Sequence, residues 1–145
     1  MKIKIKKLSE NAVIPEYKTE GAAGFDVTVL LDRDTEVLGK GEIKLFRTGL
    51  AMALPSGYEA QVRSRSGLSL KNGIIVLNAP GTIDSDYRGE IGLIVMNCGK
   101  EDFIVENKMR LAQIVVAKCE KPDFEIVDDL DSTERGEGAY GHTGT

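Results

Sequence analysis

Asn78-Ala-Pro-Gly-Thr-Ile-Asp-Ser-Asp-Tyr-Arg-Gly-Glu-Ile-Gly92 is the stretch on which the fold of this chain turns. Apolar runs rich in β-branched residues flank it, Ile74-Ile-Val-Leu77 before and Ile91-Gly-Leu-Ile-Val-Met96 after. That pattern reads as a β-hairpin with a polar, glycine-rich mouth. Asp84 and Asp86 sit two apart, and Tyr87 follows at once. Gly81, Gly89 and Gly92 allow backbone to approach a flat ligand closely. An Asp in such a mouth can act as a general base, and the neighbouring aromatic can pack on a sugar or base. Acidic, glycine-rich turns are also common on protein surfaces, so the stretch alone leaves a plain turn open.

Outward from the hairpin the chain is almost all β. Lys2–Leu8 alternates Lys and Ile and reads as a half-exposed strand. Further strands are expected at Phe25–Leu31, Glu42–Phe46, Gly49–Leu54, Tyr58–Ser64, Gly73–Leu77, Glu90–Asn97, Phe103–Val105 and Leu111–Lys118. Turn formers such as Pro55-Ser-Gly57 and Asn97-Cys-Gly99 punctuate them. Many short strands at regular spacing suggest a sandwich or barrel. Only Ser66–Lys71 looks able to form a helical turn.

The chain has 145 residues, which suits one domain with a sizeable core. Its 41% hydrophobic and 29% charged residues are ordinary for a globular protein. A net charge of −4 argues against a broad nucleic-acid surface. The charge is uneven: Lys2, Lys4, Lys6 and Lys7 crowd the first strand, and acids dominate from Glu120 to Glu137. A solvated edge strand and a solvated tail account for both. Cys98 and Cys119 are too few and too far apart for a disulfide framework or a Cys-based metal site, so free thiols are expected. His142 is the only histidine, which excludes a zinc site needing two. No apolar run approaches the roughly 18 residues of a membrane span. The first residues carry no charged-then-apolar signal segment. A reducing, cytoplasmic setting is the expectation.

After Asp131 the composition changes. The last ten residues include Gly136, Gly138, Gly141 and Gly144 and almost nothing to bury. Residues 1–130 therefore read as the β domain and 131–145 as a mobile arm. The arm holds Arg135, whose planar fork suits phosphate oxygens. Its glycines leave N–H groups free to wrap an anion, and Tyr140 offers a face for stacking. An idle terminus is the plainer alternative.

Five segments in order resemble the motifs of the trimeric dUTPase family. Gly21-Ala-Ala-Gly-Phe-Asp-Val27 is similar to the first, Arg65-Ser-Gly-Leu-Ser69 to the second, and the hairpin from Asn78 to Gly92 to the third. Arg110-Leu-Ala-Gln-Ile114 is similar to the fourth and Arg135–Gly144 to the fifth. The match spans residues 21 to 144. It departs where the family usually has Pro at Ser64, Gly at Ala139, Phe at Tyr140 and Ser at His142. No P-loop and no Gly-x-Gly-x-x-Gly fingerprint competes.

The resemblance implies an all-β, jelly-roll-like distorted barrel or sandwich with one short helical turn and a flexible Gly-rich C-terminal arm. It implies a homotrimer with shared sites and a dUTP diphosphatase that yields dUMP and pyrophosphate, supplying dUMP for thymidylate synthesis and keeping uracil out of DNA. Asp84 is the implied catalytic base. Asn78, Gly81 and Gly92 are the implied uracil contacts, Thr82 and Ile83 are further implied substrate-binding residues, and Tyr87 packs under the deoxyribose. Arg65, Ser66, Gly67 and Gln113 are the implied phosphate contacts. Arg135, Tyr140, Gly141 and Thr143 come from the arm closing over the nucleotide. The implied cofactor is Mg²⁺, held mainly by the substrate phosphates and, through water, by Asp26. The implied partners are dUTP and further copies of the chain, with no direct nucleic acid and no membrane. Two alternatives stay open on the same fold: a dCTP deaminase-like enzyme, which needs a Glu near the ring, and a non-catalytic nucleotide-sensing trimer.

Overall fold

A computed structural model of the chain describes residues 1–139. Tyr140, Gly141, His142 and Thr143 lie outside the described residues. The strands are β1 (Lys4–Lys7), β2 (Gly24–Thr28), β3 (Thr35–Leu38), β4 (Ile43–Arg47), β5 (Leu50–Ala53), β6 (Tyr58–Ser64), β7 (Ile74–Val76), β8 (Gly81–Ile83), β9 (Gly92–Asn97), β10 (Phe103–Glu106) and β11 (Arg110–Lys118). The one helix among the described residues, α1 (Ser66–Asn72), matches the expected helical turn.

Four strands run in the order β2-β11-β6-β8 and three in the order β4-β9-β7, with the pairs β1-β5 and β10-β3 beside them. Alternation along the strands explains the layering. Phe25 and Val27 of β2, Ala60 and Val62 of β6, and Ala112 and Ile114 of β11 turn inward. They share one core with Phe46 of β4, Ile74 and Val76 of β7, and Leu93 and Val95 of β9. The result is a jelly-roll-like sandwich rather than a closed barrel. Cys98 and Cys119 are free, as expected. No helix of the described residues is long and apolar enough to cross a membrane.

The hairpin is real, but its mouth is more than a turn. β7 and β9 pair antiparallel through Ile74↔Asn97, Ile75↔Met96 and Val76↔Val95. Between them the chain leaves for the other sheet, where β8 pairs with β6 through Val62↔Gly81, Gln61↔Thr82 and Ala60↔Ile83. Gly81-Thr-Ile83 carries no alternation that could announce a strand; the edge of β6 makes it one. β3 was likewise not expected. It lies between Asp32-Arg-Asp34 and Gly39-Lys-Gly41 and is ordered by register with β10, Val37 opposite Ile104. The strand expected at Phe25–Leu31 ends at Thr28, because the Leu30 N–H leaves β11 for the Arg47 carbonyl at 2.8 Å. A register shift between Arg110 and Ala112 marks a bulge, and both Leu111 and Ala112 enter the core.

Asn97 is a fully buried polar residue that ties a marginal pair of strands to the body. Its Nδ2 donates to the carbonyls of Leu38 at 3.0 Å and Glu101 at 2.9 Å, and its Oδ1 accepts the Gly99 N–H at 2.8 Å. Unsatisfied buried groups cost about 1–3 kcal/mol each. Asn97→Ala is therefore expected to lower unfolding stability by roughly 2–4 kcal/mol, measured by urea denaturation. A loss below about 0.5 kcal/mol would mean that water replaces the amide.

Candidate active site

β8 and the turn after it build a recess of about 200 Å³, lined by Val62, Asn78, Gly81, Thr82, Ile83, Asp84, Tyr87, Glu90, Ile91 and Gly92. The expected hairpin residues Asn78, Gly81, Thr82, Ile83, Asp84, Tyr87 and Gly92 thus all meet in one place. Local structure explains how the acid and the aromatic come together. The Tyr87 N–H donates to the Asp84 carbonyl at 3.2 Å, closing a tight turn. Arg88 braces that turn, with Nη1 donating to the carbonyls of Ser85 at 2.7 Å and Tyr87 at 2.8 Å. The Ala79–Pro80 peptide at the entrance is cis.

Two glycines act by what they lack. A Cβ on Gly81 would stand 2.9 Å from Asn78 Nδ2, so the amide packs directly on this backbone. A Cβ on Gly89 would stand 2.5 Å from Cζ of Tyr87, whose ring crosses the Gly89 backbone.

A second cluster gathers where the middle of β2 meets the end of β6 and the start of β11. Asp26 bridges two guanidinium groups: Arg65 Nε donates to Oδ1 at 3.1 Å and Arg110 Nη1 to Oδ2 at 3.0 Å. Arg65 Nη1 also donates to the Arg110 carbonyl at 2.7 Å. Asp26 thus has two arginine partners; expected at a strand start, it stands in the middle of β2. Gln113 lies opposite Asp26 on β2 and Arg63 on β6, and its Nε2 donates to the Ser64 carbonyl at 2.9 Å. Ser64, where a proline is usual, uses its hydroxyl to accept the Val76 N–H at 2.8 Å. Arg65 is the N-cap of α1, so Ser66 and Gly67 open the helix with N–H groups that have no intrahelical acceptor. Two cations around one carboxylate leave the cluster electropositive.

Asp26, Arg65, Ser66, Gly67 and Gln113 do not line the recess of their own chain. Arg135 is in neither place; its Nε donates to the Gly138 carbonyl at 2.8 Å. Among the described residues, the backbone hydrogen bonds after Cys119 are Gly136 N–H to Thr133 O and Gly138 N–H to Arg135 O, both local. No group of three or more His, Cys, Asp or Glu among the described residues could hold a metal ion. A carboxylate offers about four lone-pair sites, and Asp26 uses two on arginines. That donor set fits a cation whose main ligands arrive with a ligand, not one caged by the chain. Val62, Glu90 and Ile91 were not expected in the recess; Val62 reaches it only through the pairing of β6 with β8.

A family model described as dUTPase matches residues 10–144. The chain is 50% identical over 147 residues to the deoxyuridine 5'-triphosphate nucleotidohydrolase of Orientia tsutsugamushi (strain Ikeda), covering 99% of each. It is 52% identical over 138 residues to that of Treponema denticola, covering 95% of each. Among solved structures it is similar to a mutant of the Staphylococcus bacteriophage 80alpha dUTPase with dUpNHpp, at TM-score 0.90, 27% identity and 99% coverage of both chains. It is also similar to a mutant of the S. aureus phage phi11 dUTPase that coordinates a structural Mg(II) ion, at TM-score 0.80 and 25% identity, covering 91% of this chain and 100% of that one.

Gly81→Ala is expected to fold, with a thermal midpoint within about 5 °C of the parent, a shift that corresponds to roughly 1 kcal/mol. Its crystal structure should show the Asn78 amide swung away from residue 81. An unmoved amide would mean that the β8 backbone yields instead.

Proposed function

The chain belongs to the dUTPase family, and on that premise we propose that its recess takes the uracil of dUTP while Asp84 activates the attacking water. That it is an enzyme hydrolysing dUTP follows from the family. The observation that carries the finer reading is the single recess shared by Asn78, Gly81, Thr82, Ile83, Asp84, Tyr87 and Gly92. Its volume of about 200 Å³ has room for a single-ring base.

The Asn78 side chain and the backbone of Gly81 and Gly92 pair with the polar edge of uracil. A cytosine edge inverts a donor–acceptor pair and leaves a group unsatisfied, at about 1–3 kcal/mol per group. A thymine methyl collides with the hairpin backbone. Tyr87 packs under the deoxyribose and leaves no room for a 2′-hydroxyl. Asp84, exposed beside the recess, takes a proton from water as it attacks the α-phosphorus in line, giving dUMP and pyrophosphate. Arg65, Ser66, Gly67 and Gln113 receive the phosphates, and Arg135 grips the γ-phosphate bidentately. Tyr140, Gly141 and Thr143 complete the arm, residues 131–145, which closes over the 1–130 domain. Mg²⁺ would be held mainly by the substrate phosphates and, through water, by Asp26, and would lower the cost of charge on the leaving pyrophosphate. The product supplies thymidylate synthesis, and removal of dUTP keeps uracil out of DNA. Two free thiols support a reducing, cytoplasmic setting.

Three features support a homotrimer with shared sites. The phosphate-binding cluster does not line its own recess. On the outer face of β4-β9-β7, Leu45 stands opposite Ile94, and Leu77 donates its N–H to the Ile94 carbonyl, so three exposed apolar residues form a row. Beyond β11, Phe124, Ile126 and Leu130 are 94%, 99% and 86% exposed within their own chain. Apolar surface of this extent calls for a cover, and closed cyclic symmetry supplies it.

Asp84→Asn keeps size and loses the base. It is expected to bind dUTP within a few-fold of the parent and to lose at least about 100-fold in kcat; turnover near the parental rate would remove Asp84 from the role. Light scattering should report a mass near three times 15.8 kDa, and a fully active monomer would refute the shared site. Truncation after Asp131 should leave the oligomer intact and abolish most turnover, because contacts made on closure act on the rate. Arg135→Ala should reproduce much of that loss, whereas equal rates for truncated and intact protein would make the arm an idle terminus.

A further inference from the structure

We propose that Glu90 is a positioning residue that sets sugar discrimination by fixing the ring of Tyr87; this rests on the reading of Tyr87 as the ring beneath the deoxyribose. The turn between β4 and β5 grips residues 90 and 91 by side chain and backbone together. The Glu90 carboxylate accepts the Gly49 N–H at 2.8 Å and Arg47 Nε at 3.0 and 3.3 Å. The buried Thr48 hydroxyl donates to the Ile91 carbonyl at 2.7 Å, and the Ile91 N–H donates to the Leu50 carbonyl at 2.8 Å. The held segment then receives Tyr87, whose hydroxyl donates to the Glu90 carbonyl at 3.0 Å.

Tyr87 needs this anchor. Its side chain is on the surface, 46% exposed, so the core does not fix its rotation. Two contacts hold the ring: the bare Gly89 backbone beside it and the Glu90 carbonyl at its tip. The carbonyl is only as well placed as its own residue. That residue is held by charge-assisted bonds of a partly buried carboxylate, 23% exposed, which are stronger than neutral ones. A ring that can tilt admits a 2′-hydroxyl; a ring pinned at both ends does not. Glu90 touches no reacting atom in this account and acts through Tyr87.

The test measures kcat/KM for dUTP and for UTP with Mg²⁺, using full-length parent, Glu90→Ala, Glu90→Gln, Tyr87→Phe and Tyr87→Ala, and the two Glu90 substitutions combined with Tyr87→Phe. The ratio between the substrates is the readout, since a loss of folded protein lowers both rates alike. Glu90→Ala is expected to relax the preference for dUTP by at least about tenfold, and Glu90→Gln, which keeps an acceptor for Gly49, by about two- to fivefold. Added to Tyr87→Phe, which already lacks the hydroxyl link, either substitution should change the ratio less than about twofold. An unchanged ratio in folded Glu90→Ala, or additive effects with Tyr87→Phe, overturns the proposal. If Glu90→Ala does not fold, the near-isosteric Glu90→Gln and Tyr87→Phe pair decides by the same non-additivity. Tyr87→Ala separates the two readings: if it leaves the ratio unchanged, the sugar role of Tyr87 fails, whereas relaxation by Tyr87→Ala with none from Glu90→Ala refutes Glu90 alone.

Discussion

Strand β6 hydrogen-bonds along both edges, to β11 on one side and β8 on the other, and the positions of both functional clusters follow from that. Ala60 and Val62 alternate inward and are buried, so a one-residue slip would turn both to solvent and is resisted by the core. With the register locked, Gly81-Thr-Ile83 is set opposite Ala60–Val62 and the recess takes its shape from that pairing. The same strand ends in Ser64, whose hydroxyl and carbonyl are both engaged, and delivers Arg65 to the start of α1.

Electrostatics refine what the strand pairing places. Asp26, Arg65 and Arg110 come from β2, the end of β6 and the start of β11, and their side chains cross-link the three. One carboxylate between two guanidinium groups orients both forks and leaves a net positive charge, the condition for attracting a polyanion. The charge of Asp26 itself is already matched by its two arginines. The opposite sign governs the recess, where the exposed Asp84 faces solvent beside apolar walls from Val62, Ile83 and Ile91.

The inner faces of the two sheets are filled, but the outer face of β4-β9-β7 and the segment from Phe124 to Leu130 are not. Exposed apolar surface of that extent is what the proposed contact between copies of the chain would cover. The recess and the Asp26–Arg65–Arg110 cluster thus stand apart within one chain, the separation that the proposed shared site would close.

Local chemistry made much of this legible in the amino-acid sequence. The alternation of Tyr58–Ser64 coincides with β6, the apolar runs around Asn78–Gly92 do pair as β7 and β9, and Ser66–Lys71 does turn as a helix. The five motifs located the family, and the hairpin motif located most of the recess, because its lining residues lie close together in the chain. Long-range contact decided the rest. β8 becomes a strand only beside β6, Asp26 meets Arg110 across 84 residues, and Glu90 meets Gly49 across 41. No local pattern encodes which distant donor a carboxylate will find, because that choice is made when the sheets pack and the core excludes every other register.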